Sequence, residues 1–448
     1  MWENWSGGQG CAPIAVERPA SRAEVVEAVG RAAAAGRRLR AAGAGHSFSD
    51  AAVTEGTLVL CDRLDRVLDA DPASGRVRVE AGIRLSKLNA ELALRGLALE
   101  NLGDIDAQSL AGALATGTHG TGGRLANLSA QVEEVELVLA DGSERTLTAA
   151  DGDLLRAARV GLGALGVVVA LTLRCVPAFR LRAVDEPVLL DRTLSELDAR
   201  VDGADHFELW TFPHSGRAIT RTNERTAAPA RPASAARRWV DEILLENHAL
   251  GALNRLGRRA PRAIPLLNRA AGSLVSRRER LDDSYRVFAT ERRVRFEEME
   301  YAVPREHARA ALETCREILA RHPVGFPIEL RFSAEDDALL SPAYGRPTAY
   351  LAVHVYAGVP FAAPLREVEA AMVRYDGRPH WGKRSFLTAA QLAPLYPRWA
   401  AFGRARAQLD PEGRFANPFT DRALGGASQE GAALAAVGRD DADQLIAP

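Results

Sequence analysis

Two histidines set in glycine-rich turns carry the first chemical signal of this chain. His46 sits in Gly43-Ala44-Gly45-His46-Ser47-Phe48-Ser49-Asp50, and His119 in Thr116-Gly117-Thr118-His119-Gly120-Thr121-Gly122-Gly123. Glycines let a backbone turn tightly and aim its N–H groups at an anion such as a phosphate. An imidazole in such a turn stands beside whatever the turn holds and can act as a nucleophile. Either segment alone reads more readily as an ordinary turn with a surface histidine. Together they suggest a cradle for a diphosphate-bearing cofactor. A third cluster, Gly161-Leu162-Gly163-Ala164-Leu165-Gly166, has GxGxxG spacing, yet a helical pattern precedes it and the β-branched run Val167 to Arg174 follows. A dinucleotide fingerprint needs the reverse order, strand and then helix. This loop is therefore expected to pass closely along a ligand without offering it a helix N-terminus.

A second set of reactive types lies further on. Glu329 and Arg331 are two apart on a short apolar run, so both side chains share one face of a strand. Charges on such a strand are costly unless paired or functional, and a salt bridge at a domain boundary explains the spacing as well as a site does. His354 and Tyr356, on Leu351 to Tyr356, can share that face, and His380 and Lys383 lie in a polar, aromatic cluster from Arg378 to Arg384. Of the 57 lysines and arginines only Lys87 and Lys383 are lysine. A lysine kept in a chain that otherwise uses arginine marks a place for a compact ammonium; Lys87 reads as a solvated helix face. An acid, cations and imidazoles suit oxidation of an alcohol carbon, one group taking the hydroxyl proton while fixed cations offset the charge. No metal-ligand spacing, GxSxG elbow or P-loop lysine is present.

The elements that must position these groups follow from pattern. Ser21 with Glu24 three residues on starts an amphipathic helix over 21–35. Strands are expected at 57–61, 66–70, 76–81, 132–139 and 167–174, with a hairpin return at 144–148 and a helix at 85–95. Strand character is expected over 206–222, clearest at 207–212, and later strands at 294–301, 327–332 and 349–356, with helices at 304–321 and from about 395. Residues 224 to 286 are rich in arginine, alanine and proline, with helical periodicity near 235–258. They read as a helical insertion with arginines toward water, a membrane-surface helix or nucleic-acid patch being the weaker alternative.

At 448 residues the chain exceeds one ordinary core, so two domains are expected. The net charge of −1 points to neither nucleic acid nor an anionic membrane. Cys11, Cys61, Cys175 and Cys315 are scattered, which argues against a disulfide framework and for a reducing compartment. With no basic, apolar leader and no apolar run long enough for a bilayer, the expected location is cytoplasmic.

In their order these pieces resemble the aldonolactone and alditol oxidases of the vanillyl-alcohol oxidase flavoprotein superfamily. The resemblance runs through GAGHSFSD (43–50), Asn101-Leu102-Gly103 leading to Ser109-Leu110-Ala111-Gly112, ATGTHGTG (115–122), Glu208 to His214, Met299 to Pro304, Glu329-Leu330-Arg331 and His380-Trp381-Gly382-Lys383. It covers nearly the whole chain except the basic stretch. It implies an α+β, two-domain flavoprotein. Residues 1–178 and a returning 396–448 would form a split FAD-binding domain, with an α+β cap over 179–395. FAD would be held by Ala42, Gly43, Ala44, Gly45, His46, Ser47, Ser109, Gly112, Thr116, Thr118, His119, Gly120, Gly163, Gly166, Val167 and Lys383. His46 matches the histidine that bonds the flavin 8α-methyl, and Glu329, Arg331, His354, Lys383 and Ser109 match the catalytic set. The implied reaction is hydride transfer from a sugar lactone or polyol CH–OH to flavin N5, with reoxidation by O2 and release of hydrogen peroxide, or by another acceptor in a dehydrogenase. A non-catalytic flavin-binding protein is the remaining alternative.

Overall fold

The computed structural model describes residues 1–234, 247–274, 276–290 and 292–426. Besides two short two-stranded pairs, the first part of the chain builds two small sheets. Ala15–Glu17, Thr57–Leu60 and Leu39–Ala42 form a parallel three-stranded sheet, in that order. Glu144–Leu147, Val132–Val138, Val167–Arg174, Arg76–Glu80 and Val67–Asp71 form an antiparallel five-stranded one. The helix Arg22–Ala34 starts where Ser21 accepts from the Glu24 N–H, and buries Val25, Val29 and Ala32 against Leu39 and Val59 of the first sheet and Val138 and Val167 of the second. The helix Asp153–Arg159 precedes the third glycine cluster and the strand from Val167 follows it, the order that excludes a dinucleotide fingerprint.

The later part is an antiparallel sheet of eight strands. Their order is Arg278–Asp283, Arg180–Leu189, Arg217–Thr226, His206–Thr211, Ile328–Ser333, Thr348–Tyr356, Phe296–Pro304 and Arg378–Pro379. Side chains alternate across it. One face carries Leu330, Phe332, Leu351, Val353, Met299 and Val303, buried under the helices Ala308–Ala320 and Ala362–Val373. The other carries the charged residues described below. After the sheet the chain returns: Ala401, Phe402, Ala405 and Leu409 of the helix Trp399–Leu409 share one core with Val77, Leu114, Val135 and Leu171.

Two expectations need correction. Arg180–Leu189 is a strand where the pattern marked none, and Arg217–Thr226 runs past the end of the strand-like stretch 206–222. The tail of the basic stretch, Arg278–Asp283, is an edge strand of the sheet and not part of a helical insertion. All three carry outward-facing charges that pair across strands, as Arg182 does with Glu279 at 2.7 Å, so no apolar alternation announces them. Within the basic stretch, Leu250–Arg259 and Ile264–Leu274 are helical; residues 235–246 of the expected helix lie outside the described residues, as do 427–448 of the expected returning segment. Among the described residues no helix is long and apolar enough to cross a membrane.

Candidate active site

The first glycine loop leaves the strand Leu39–Ala42 and keeps its backbone open. Among the described residues, the N–H groups of Gly43, Ala44, Gly45, His46 and Ser47 find no acceptor. Gly45 has φ +72°, the left-handed region. Gly43 is required for another reason: a Cβ there would lie 2.0 Å from Oγ of Ser109, which is buried without a partner. The loop forms one wall of a cleft of about 1220 Å³. Ser109, Gly112 and Thr116 line it too, together with Gly163 (φ +64°) and Gly166 (φ +147°) of the third cluster. Five unpaired N–H donors in a glycine loop, an unsatisfied serine and a long apolar cleft fit a diphosphate nucleotide with a flat ring system. Gly120 and Val167 do not line the cleft; Val167 points into the core with Val25 and Val59.

Arg40, on the strand feeding this loop, fixes its shape. Its buried guanidinium donates to the carbonyls of Leu162 (2.6 Å), Gly163 (2.9 Å), Phe415 (2.7 Å) and Ala51. Burial pushes Arg40 down to about 10, so it stays charged at neutral pH. His46 lies at the far side of the loop, its ring stacked on Trp5 at 5.9 Å and 24°. Burial, with Arg84 and Lys383 nearby, pushes His46 down to about 4, which leaves its imidazole neutral and nucleophilic at physiological pH.

His46, Ser47, Gln108 and Thr116 also line a second cavity of about 1050 Å³, whose opposite wall is the charged face of the eight-stranded sheet. Pairing of Trp210 with Glu329, Glu329 with Ala352, and Glu298 with His354 puts Glu298, Glu300, Glu329, Arg331 and His354 on that face. Lys383 arrives from the turn after the edge strand, where the Gly382 carbonyl accepts from the Phe48 N–H at 2.7 Å. Its ammonium is 2.6 Å from Glu298. Burial alone lowers Lys383, but Glu298 and Glu300 outweigh it and hold the ammonium above its ordinary value. His354 behaves likewise: burial opposes its charge, and Glu298 at 3.5 Å raises it.

Arg331 reaches Glu329 at 2.5 Å, Glu208 at 3.0 Å and Asp104 at 3.3 Å. Those are ion-pair distances, yet Nε and Nη2 are not aligned for hydrogen bonds, and Oε1 of Glu329 also lacks a donor. Burial drives Glu329 up despite Arg331. The expected set Glu329, Arg331, His354 and Lys383 thus meets in one cavity, while Ser109 lines the cofactor cleft. His119 and Thr118 stand in the second cavity. The N–H of Gly122 donates to the Phe332 carbonyl at 2.8 Å, which docks the second glycine loop on the sheet and brings His119 to 3.0 Å from Glu300. His119, Glu300 and His380 present donor atoms within 4.8 Å of one another, a grouping that sequence spacing does not reveal.

The residues that sequence reasoning missed are Glu298, Asp104 and Arg292. Glu298 and Glu300 alternate with Met299 and Tyr301 as Glu329 and Arg331 do with Leu330, so the same signal was present. Asp104 shares its loop with Asp106, and no periodicity marks it out.

Three histidines, His206 and His380 buried and His46 partly buried, make stability depend on pH. His46 and His206 are pushed down to about 4 and His380 to about 3, chiefly by burial. Such a base is neutral in the fold and takes its proton more readily when unfolded. Stability is therefore present above pH 6.5 and lost as pH falls toward 4. His206, whose ring nitrogens are both buried without partners, contributes ~3 kcal/mol of that loss. Urea midpoints between pH 7 and 4.5 should fall less steeply for His206→Asn; an unchanged slope would rule the assignment out.

Similarity to known proteins agrees with this geometry. A family model described as D-arabinono-1,4-lactone oxidase matches residues 171–423, and one described as an FAD binding domain matches 13–148. An L-gulono-1,4-lactone dehydrogenase of Mycobacterium tuberculosis is 48% identical over 95% of this chain and 99% of its own. The L-gulonolactone oxidase of Mus musculus is 32% identical over 94% and 98%. A solved glucooligosaccharide oxidase from Acremonium strictum, described as carrying 6-S-cysteinyl, 8α-N1-histidyl FAD, superposes with a TM-score of 0.69 at 16% identity over 95% and 94%, which speaks to the fold alone. With both family models matched in sequence order and a relative aligned almost end to end, the chain belongs to the D-arabinono-1,4-lactone oxidase family of FAD-dependent oxidoreductases.

Proposed function

We propose that the protein oxidises the CH–OH carbon of a sugar-derived lactone, or of a related polyol, using FAD bonded covalently through His46. The observation that carries this reading is the shared wall: His46, Ser47, Gln108 and Thr116 belong both to the cofactor cleft and to the cavity holding the acid–base cluster. The flavin, when bound, supplies the hydride acceptor. The residues supply the rest. Glu329 takes the hydroxyl proton, being a carboxylate without a hydrogen-bond donor on Oε1. His354 is less suited to that task, because Glu298, against the effect of burial, favours its protonated form. Arg331 and Lys383 orient the hydroxyl and offset charge as the proton leaves, and Ser109 orients the ligand at the boundary of the two spaces. The neutral His46 imidazole would be the residue to hold the flavin covalently at its 8α-carbon.

The family likeness supports the substrate class, and the absence of a long apolar helix among the described residues is compatible with a cytoplasmic enzyme. For reoxidation, O2 with peroxide release is one reading; transfer to another acceptor is favoured by the relative named as a dehydrogenase at 48% identity. Peroxide yield measured beside reduction of an artificial acceptor separates them. For the cofactor, acid precipitation of the purified protein should leave the yellow colour in the pellet, and His46→Ala should release it to the supernatant. A colourless protein that also takes up no FAD would refute the proposal, and so would a coloured one that no lactone or polyol bleaches under anaerobic conditions.

A further inference from the structure

We infer that Asp104 is a positioning residue: by drawing on Arg331 from outside the sheet, it keeps Glu329 the least neutralised carboxylate in the cavity and so fit to accept the substrate proton. The inference rests on the role proposed above for Glu329. One guanidinium serves three carboxylates here. Nη2 of Arg331 is 2.5 Å from Glu329 and 3.3 Å from Asp104, and Nε is 3.0 Å from Glu208. Two of the three acids have a second cation. Arg292 reaches Asp104 at 2.9 Å, and Arg221 reaches Glu208 at 3.4 Å. Glu329 has none within ion-pair distance among the described residues. Arg331 is thus shared, and Glu329, although nearest to it, is the one acid of the three with no second cation.

Asp104 differs from the others in origin. Glu208, Glu329 and Arg331 are fixed by strand pairing, whereas Asp104 comes from the loop between Asn101 and Ser109 and reaches the sheet from the cofactor side. It is anchored there twice, since its carbonyl accepts from the Thr290 N–H at 3.0 Å and its carboxylate from Arg292. The charge facing Glu329 comes from every element around it. Arg331 is on its own strand, Glu208 on one neighbour and His354 on the other, with Glu298 and Lys383 behind His354 and Asp104 with Arg292 on the loop side. Asp104 adds a negative charge to that field and also competes for the one cation that would quench Glu329. Burial and Arg331 set the main balance at Glu329, and Asp104 and Glu208 tilt it toward binding a proton.

The test is the acidic limb of the kcat/KM profile, measured anaerobically by flavin reduction with holoenzyme of checked flavin content. Asp104→Asn keeps the shape and removes the charge, so Arg331 turns to Glu329 and the limb should move to lower pH by about one unit. Asp104→Glu should return it toward wild type. Arg292→Gln frees Asp104 to draw harder on Arg331 and should move the limb the other way, a reversal that loss of structure alone does not produce. Arg292→Gln also serves if Asp104→Asn fails to fold. Glu329→Gln separates the two levels of the argument. If it abolishes the limb while neither Asp104→Asn nor Arg292→Gln moves it, Asp104 has no such role and Glu329 remains the base. If Glu329→Gln leaves the limb in place, the base is another group and the inference falls with that reading. A limb moved to higher pH by Asp104→Asn also overturns it.

Discussion

Arg331→Ala should lower the rate of flavin reduction by substrate about 10²–10³-fold, the usual cost of removing one preorganised donor from a developing charge. The side chain is buried, fixed on its strand and surrounded by Glu329, Glu208 and Asp104. Without it three carboxylates face one another across the cavity with Arg221, Arg292 and the Lys383 side as their remaining cations. Breaking a buried network by removing one partner costs ~3–5 kcal/mol, so flavin content and melting temperature should be recorded before the kinetics. Arg331→Lys is expected to recover little, because a compact ammonium cannot span acids that approach from three directions. Rapid mixing of the reconstituted variant with substrate gives the reading; a wild-type bleaching rate in Arg331→Ala would remove this residue from the mechanism.

The other large effect is expected from a residue with no part in the chemistry. Arg40→Met should destabilise the protein by about 4 kcal/mol and weaken FAD binding. The guanidinium joins carbonyls of Ala51, Leu162, Gly163 and Phe415, which come from three stretches far apart in sequence. Methionine fills the space but donates nothing, and each buried carbonyl left alone costs ~1–3 kcal/mol, with some relief from relaxation. The loop carrying Gly163 and Gly166 loses its brace at the wall of the cofactor cleft. Denaturant midpoints of the apoprotein and titration with FAD measure the two parts separately. A variant as stable as wild type, with unchanged affinity, would show that the cleft is shaped by the glycines alone.

What could be read from the sequence was what is written locally. Ser21 and Glu24 announced a helix that begins at Arg22. Leu154 to Val160 before the third cluster, and Val167 to Arg174 after it, were enough to set aside the dinucleotide fold. Glu329 and Arg331 showed their common face because a strand has a period of two. The sheet then supplied what spacing could not, namely which strands are neighbours. Glu298 meets His354 only because Phe296–Pro304 pairs with Thr348–Tyr356, and Glu208 meets Arg331 only because His206–Thr211 pairs with Ile328–Ser333. His119 was legible as a glycine-loop histidine but not as a neighbour of Glu300; a bridge from Gly122 to Ser333 makes it one. Asp104 was invisible for the same reason in stronger form, since its meaning lies wholly in the two arginines it touches. The outer strands were obscured by their charges, which satisfy one another across the sheet and leave no apolar rhythm.

Trp5, stacked against His46 and packed edge-on to Phe48 and Phe296, gives the protein an optical reporter of its own assembly. Indole emission overlaps the near-ultraviolet absorption of an isoalloxazine; Trp5 lines the second cavity, and Trp2 lines the cofactor cleft. Binding of FAD should therefore darken the intrinsic fluorescence, and a time course of that quenching, read in Trp5→Phe and Trp2→Phe backgrounds, follows formation of the holoenzyme without any added label.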